Sequence, residues 1–305
     1  MADLITSARA QYNLNNMSLT ANETTTLAAL ITAASKAIVK YLRRDISSTV
    51  YDELYSGTGQ RRLFLRQFPI ISIQSVRYRP VVVLKVQNTD TATNQQARVS
   101  ITSTGLTLVR VASGVSTTDT SVTFAGNVTL GAVRDAVIAL GVGWTAQVVG
   151  DANDYALWPS GDLFVANSTG EQQGALTCRG AFAELKMHTN ELAGFSFAAR
   201  SGWLLRAIPY TDPELMRPED LVWPPGINNF RVQYTAGYAT VPEHIQEACA
   251  IWVAQMFWDT KRDPGLGQAG FTGVTQFTPF SNMPPSVVML LKPYRDRKWF
   301  GPLGA

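Results

Sequence analysis

Residues that could carry out chemistry are few in this chain and are scattered along it. His188 and His244 each stand alone, and neither has a second ligand at the spacing that a metal site needs. No nucleophile motif of the Gly-x-Ser-x-Gly type occurs. The sequence therefore predicts a protein that is not an enzyme and has no cofactor and no metal. A hydrolase that uses either Cys178, with His188 as its possible partner, or an acid pair is the third alternative left open.

Basic and aromatic residues offer a second kind of chemistry, which is contact with phosphate groups or with other proteins. They lie in two neighbouring predicted strands: Arg61, Arg62, Phe64, Arg66, Arg77, Tyr78 and Arg79. Such a surface could face phosphates, but a salt-bridged subunit interface or a solvated strand face is the favoured interpretation. The net charge of +3 is too small to indicate nucleic-acid binding by itself.

The last residues of the chain form a basic and aromatic tail. Arg295, Arg297, Trp299 and Phe300 lie in it, and arginine and aromatic side chains often dominate protein interfaces. From the residues alone, the tail is either a contact arm or a solvated end of the chain.

Length and composition indicate the general class of protein. The chain has 305 residues, enough for roughly two domains. Charged residues make up 16%, below the usual quarter or so. Because interface centres are depleted in charge, we expect much of the surface to be buried against other subunits, although a Thr-rich β domain would have the same composition. No secretory leader and no apolar run of about 18 residues is evident, so we expect a soluble protein made in the cytoplasm.

Two long amphipathic segments near the ends of the chain predict helices, over Thr24–Arg44 and Pro242–Arg262. Apolar residues recur at helical spacing in both segments. Each follows a Thr-x-x-Glu capping box and closes on two cations. The capping residues are Thr20 with Glu23 and Thr240 with Glu243. The terminal cations are Arg43, Arg44, Lys261 and Arg262.

The residues between these helices are mostly strand-like. Val50–Tyr55 and Arg61–Gln67 flank a Gly-rich turn, which predicts a β-hairpin. Further strands and a helical pattern at Leu130–Leu140 predict a small α+β unit. The predicted fold class is therefore α+β: a small helical bundle with a β-hairpin, plus an inserted β-rich α+β domain. The expected domains are residues 1–80 with 226–305 as a discontinuous core, 81–225 as the insert, and 293–305 as a C-terminal arm.

At both ends the chain resembles the head–tail connector proteins of tailed bacteriophages, also called adaptor or head-completion proteins. The stretches that carry the resemblance are KYLRRD (Lys40–Asp45), YDELYSGTGQRRLFLRQFPI (Tyr51–Ile70), SVRYRP (Ser75–Pro80), VQYTAGYATVPEHIQEACAIWVAQMFWDTKRDPG (Val232–Gly265) and MPPSVVMLLKPYR (Met283–Arg295). The most specific part is YTAGY-x-x-VPE leading into a Trp-containing helix and a KRDPG exit. The middle of the chain lies outside the family's minimal form, so no role carries over to it.

The resemblance implies a structural virion protein, in a ring of typically twelve subunits that joins the portal of the capsid to the tail and extends the DNA channel. Implied partners are further copies of the chain, the portal protein, and a tail, stopper or neck protein, with packaged DNA close by and no membrane. The implied location is the neck of the virion, after assembly in the host cytoplasm. The candidate portal or subunit interface residues are Arg43, Arg44, Arg61, Arg62, Arg66, Lys261, Arg262, Arg295, Arg297, Trp299 and Phe300.

A different class of function would follow if the insert were the active part. The β-rich insert would then serve as a virion decoration or carbohydrate-binding module, and the helical core would only support it.

Overall fold

The computed structural model describes residues 3–149, 155–167, 175–206, 222–261 and 283–295. Helices in these ranges are α1 (Ser7–Tyr12), α2 (Ala21–Leu42), α3 (Leu130–Ala139), α4 (Asp162–Asn167), α5 (Glu243–Thr260) and α6 (Pro285–Arg295). Strands are β1 (Thr49–Gly57), β2 (Arg62–Phe64), β3 (Ile70–Asn88), β4 (Asn94–Thr102), β5 (Gly105–Ala112), β6 (Val115–Thr123), β7 (Trp144–Val148), β8 (Leu176–Thr177), β9 (Ala183–Glu191), β10 (Phe195–Ala198), β11 (Trp203–Arg206) and β12 (Gly226–Ala236). Together they confirm the predicted α+β class.

A helical core joins the two ends of the chain. α2 buries one face in this core, because its apolar residues recur every three or four positions. The buried residues of that face are Leu27, Ile31, Ala34, Ile38, Val39 and Leu42. α5 packs against α2, and α1 and α6 complete the same cluster. The periodicity predicted from sequence therefore corresponds to a shared apolar core.

By length and composition alone, α2 is also long and apolar enough to cross a membrane. Its most apolar 18 residues have a mean hydropathy of 1.2. The core helix of a globular protein meets the same criterion. Since its apolar face packs against α5, packing accounts for the composition of this helix.

The central sheet brings together strands that are far apart in the sequence. Its order is β1-β12-β3-β7, and β9 also pairs with β3. The β1 and β2 segments were expected to pair as a hairpin, and this expectation is corrected: β1 pairs antiparallel with β12, and β2 pairs with β11. The physical reason is length, because β12 has eleven residues to match the nine of β1, whereas β2 has only three.

β3 continues well past residue 80, the expected border between core and insert. Its first half contributes Val76 to a cluster that contains Phe230 and Tyr234. Its second half contributes Val83 and Leu84 to the cluster beneath a separate sheet of order β6-β5-β4-β8. One strand thus belongs to the cores on both sides of that border.

Two helix starts that look alike in the sequence differ in the structure. At α2, Thr20 and Glu23 form the predicted capping box, with the Thr20 N–H donating to Glu23 Oε2 at 2.7 Å. At α5, the N-cap is Pro242 and has no side-chain cap, so the Thr240 box is not formed. Glu243 is the first residue of α5 and accepts a hydrogen bond from Arg9 at 2.5 Å. The second predicted box is therefore wrong because the helix begins later than the motif requires.

This difference predicts unequal effects of the same substitution at the two sites. Thr20→Ala should lower the free energy of unfolding by about 1 kcal/mol, because the Glu23 N–H in the first turn of α2 loses the hydroxyl oxygen that accepts from it. Thr240→Ala is the matched control and should change stability by less than about 0.5 kcal/mol. Urea unfolding followed by circular dichroism measures both variants. Equal losses of stability in the two variants would contradict the conclusion that α5 has no side-chain cap.

Candidate interface at the end of the helical core

Arg44 anchors three segments of the chain at one end of the helical core. α2 ends at Leu42, and Arg43 takes a left-handed conformation with φ of 55°, which turns the chain so that Arg44 points inward. Arg44 is 5% exposed. Its Nη1 donates to the Phe68 carbonyl at 2.5 Å and its Nη2 to the Tyr294 carbonyl at 2.9 Å. The end of α2, the residues before β3 and the last turn of α6 are therefore held together by one side chain.

The charge of Arg44 is compensated by dipoles and aromatic rings. No ion pair between described residues includes Arg44. Its guanidinium carbon lies 4.1 Å from the centre of the Phe68 ring and 5.7 Å from that of Tyr238. Burial lowers the pKa of Arg44 from its usual value, yet an arginine remains charged at any physiological pH. The site therefore depends on two carbonyls and two cation–π contacts.

Further polar contacts hold the residues beside Arg44. The Asp45 N–H donates to Gln67 Oε1 at 2.9 Å, and the Tyr51 hydroxyl donates to Asp45 Oδ2 at 2.9 Å. Burial, together with the bond to Asp45, raises the pKa of Tyr51 to about 12. The hydroxyl of Tyr51 thus stays protonated and remains a donor at neutral pH.

The structure brings together some of the predicted interface residues at this end. Arg43 is exposed, and Arg295 is exposed with its guanidinium 4.6 Å from the centre of the Tyr41 ring. Residues 296–305 follow Arg295 directly. Arg43 and Arg295 are therefore available for contacts near the start of the predicted arm, whereas Arg44 is a structural anchor.

The predicted residues around β2 lie against aromatic rings. The Arg62 guanidinium is 4.7 Å from the Trp203 ring centre, and that of Arg66 is 5.2 Å from the Tyr55 ring centre. Arg66 also lies 3.7 Å from a Glu53 oxygen. Arg61 is exposed. These arginines form a surface of their own on the side of β2 and β11.

Lys261 lies at the opposite end of the helical core. Its ammonium group pairs with Glu23 at the start of α2. The hydrogen bond from Lys261, with those from Thr20, lowers the pKa of Glu23 to about 2. The remaining predicted interface residues, Arg262, Arg297, Trp299 and Phe300, lie outside the described residues.

A second group of charges surrounds the buried Arg231 between β1, β12, β3 and α4. Arg231 is 1% exposed and donates to both oxygens of Asp52, at 2.8 and 2.6 Å, and to Asp162 at 2.7 Å. Arg77 donates to the other oxygen of Asp162 at 3.2 Å. Burial alone would lower the pKa of Arg231, but the bonds to the two carboxylates outweigh burial and raise it. This network ties α4 to the central sheet.

Sequence reasoning missed both of these buried groups. The alternation in FRVQYT places Arg231 and Gln233 on one face of β12, which predicts a polar face. That face becomes buried at Arg231 because Asp162 of α4 covers it. The role of Arg44 depends on where α2 ends, and adjacent arginines in a sequence do not show which one turns inward.

The cysteine and histidine considered for catalysis are both buried. Burial raises the pKa of the Cys178 thiol to about 12 and lowers the pKa of His188. The His188 ring lies 3.1 Å from the Asn228 carbonyl oxygen through its Nε2. A thiol that stays protonated at neutral pH is a poor nucleophile, so the geometry gives the hydrolase alternative no support.

Comparison with known proteins gives one informative match. Residues 5–139 match the family described as HCP, head completion protein. The match confirms the resemblance found at the N-terminal end of the chain and supports placing it among the head-completion or head–tail connector proteins of phages. It includes α1, α2 and Arg44, and it continues past residue 80 as far as α3. No protein in the curated set matches the chain.

The anchoring role of Arg44 predicts a contrast with its neighbour. Arg44→Met should lower the free energy of unfolding by about 1–3 kcal/mol, because the carbonyls of Phe68 and Tyr294 lose their donor. Arg43→Met should change it by less than about 0.5 kcal/mol, because Arg43 is exposed. Unfolding midpoints in urea compare the two variants, and a loss at Arg43 as large as that at Arg44 would contradict the assignment.

The ion network predicts a specific change in acid stability. Burial would raise the pKa of Asp52, but the hydrogen bonds from Arg231 and Gln233 outweigh it, so the folded pKa is lowered. Its stabilising contribution is therefore complete above the unfolded pKa of about 3.9 and is lost as the pH falls through the folded value.

Asp52→Asn should accordingly lose less stability than the wild type between pH 5 and pH 3. It should also be less stable than the wild type at pH 7, by about 2–3 kcal/mol, because Arg231 loses one carboxylate. Asp135→Asn on the exposed side of α3 is the control. Urea unfolding at each pH measures all three proteins, and equal pH slopes for wild type and Asp52→Asn would refute the role of Asp52.

Proposed function

We propose that the protein forms a ring that joins the portal of a phage capsid to the tail and extends the DNA channel. The coarser statement, a structural role at the phage head–tail junction, follows from the family match. The ring, typically of twelve copies, and its portal contact are the proposal.

The Arg44 anchor is the observation that carries the portal contact. Arg44 fixes the last turn of α6 to the end of α2 through the Tyr294 carbonyl. The end of the described part of α6 is therefore held at a defined point, directly before the basic and aromatic stretch 296–305 in the sequence. A short segment that starts from a fixed point has less conformational freedom to lose on binding. Arg297, Trp299 and Phe300 supply the residue types that most often dominate interfaces.

The proposal places the neighbouring partners at different parts of the ring. The arm reaches the portal, and a tail, stopper or neck protein contacts another face. Arg43 and Arg295 lie beside the start of the arm and support its contact with the portal. Packaged DNA passes through the channel without sequence-specific contacts.

The test is a mass measurement of the full-length protein, alone and mixed with the portal protein. We expect the assembly with portal to contain several copies of the protein, because a connector ring forms either by itself or when it docks on the portal. A variant ending at residue 295 should keep its helical circular-dichroism signal and bind portal at least about 30-fold more weakly, the loss expected when hot-spot residues are removed. A strict monomer that ignores portal would overturn the proposal. If the shortened variant binds the portal protein as tightly as the full-length protein does, the arm has no role in portal binding.

A further inference from the structure

One side of α5 is exposed although it carries large apolar residues. Glu247, Ile251, Ala254 and Trp258 follow one another at intervals of four, three and four residues, so they lie on one face of the helix. Trp258 is 45% exposed, while Ile251 and Ala254 are half-buried. These four residues are called the α5 stripe below. Ile251 and Ala254 also touch the edge of the helical core, so the stripe is the partly exposed side of α5, with Trp258 as its exposed end.

Glu247, Ile251 and Ala254 of the α5 stripe form one wall of an open groove with a volume of about 660 Å³, and Trp258 lies one turn further along the helix. The other wall is the turn after α1, with Tyr12 and three asparagines, and Tyr12 is 65% exposed. Tryptophan and tyrosine are among the residues that most often carry the binding energy of an interface. The groove is mixed in character, with three asparagines and Glu247 beside Ile251, Ala254 and Tyr12, and interfaces between subunits commonly combine apolar and polar groups in this way.

The charge of α5 indicates what kind of surface fits this groove. α5 contains Glu243, Glu247 and Asp259 and no lysine or arginine. Arg9 pairs with both Glu243 and Glu247, at 2.5 and 2.9 Å, so two carboxylates share one cation. The two carboxylates of Glu243 and Glu247 exceed the single positive charge of Arg9 by one, so the complementary surface is basic, with small side chains that admit Trp258 and Tyr12.

The exposed side of α2 has these complementary properties. Ala29, Ala33, Lys36 and Lys40 are all exposed on it, and this set is called the α2 face below. The alanines leave room for large side chains of another helix, and the lysines supply positive charge. Glu23 is the single acidic residue of α2 and is held by Lys261 at the far end.

We propose that the α5 stripe of one copy binds the α2 face of the next copy. The inference rests on the proposed ring and names its subunit contact. On each helix the exposed surface lies opposite the residues buried in the helical core, so one copy presents the two surfaces in different directions. Two different patches that bind each other head to tail generate a closed ring when the rotation between copies closes.

The test uses pairs of engineered cysteines in the full-length protein. Native Cys178 and Cys249 are buried, so mild oxidation should leave them unreacted. Ala254→Cys is combined in turn with Ala29→Cys, Ala33→Cys or Lys36→Cys, since only a pair at the right register meets the geometry of a disulfide. At least one double variant, assembled with portal and oxidised, should give a ladder of covalent oligomers. Each single variant can give no more than dimers and is the control.

Each result separates the subunit contact from the proposed function. A ladder from a double variant supports the contact. Dimers from Ala254→Cys alone would show a two-fold contact through α5 and overturn it. If assemblies whose mass shows several copies give no cross-linked species, the proposed subunit contact is overturned, while the proposed ring is not. Assemblies that never contain several copies would overturn the ring itself.

A second measurement keeps the proposal testable if a cysteine pair fails to fold. Trp258→Ala should weaken self-association about 30-fold, the effect of losing a hot-spot residue. Thr118→Ala on exposed β6 is the control and should leave it unchanged. Both variants should keep the wild-type unfolding midpoint within a few degrees. Self-association of Trp258→Ala at wild-type strength would overturn the proposal.

Discussion

The antiparallel packing of α2 on α5 is the constraint on which the rest of the structure depends. Lys261, just after α5, pairs with Glu23 at the start of α2. The end of one helix therefore lies at the beginning of the other. The cationic ends of the two helices, which look equivalent in the sequence, are separated by the length of α2, about 33 Å. Among the described residues, the end with Arg43 and Arg44 is the one that also receives the end of α6.

Two buried arginines connect the parts of the molecule, and they are compensated in different ways. Arg44 uses two carbonyls and two rings, whereas Arg231 uses two carboxylates. Because a buried charge is costly once a partner is lost, each arginine favours one arrangement of its neighbours. Arg44 fixes the last turn of α6 to the end of α2, and Arg231 fixes α4 against the central sheet. Residues on the two sides of the predicted border at residue 80 are thus joined by charge as well as by β3.

Local patterns predicted local structure, while long-range partners were not predictable. Periodicity located α2, α3 and α5 because each buries one face. The pairing of β1 with β12 joins residues as far apart as Asp52 and Arg231, which are separated by 179 positions, and no local signal identifies such a partner. At the candidate interface, the sequence indicated which types of residue take part but did not indicate which of them are buried. Arg43 and Arg44 are adjacent, yet one is exposed and the other is buried because α2 ends between Leu42 and the turn at Arg43.

The two contact surfaces proposed for the helical core do not compete for space. The Arg44 anchor and the start of the arm lie at an end of α2, whereas the α2 face and the α5 stripe lie along the sides of the helices. A partner at the end can therefore bind while neighbouring copies occupy the sides. Since both surfaces belong to the same rigid core, copies aligned by their sides would all present their ends in the same direction. In the proposed ring, that arrangement would let many weak arm contacts act together on one portal, and linked contacts bind far more tightly than single ones.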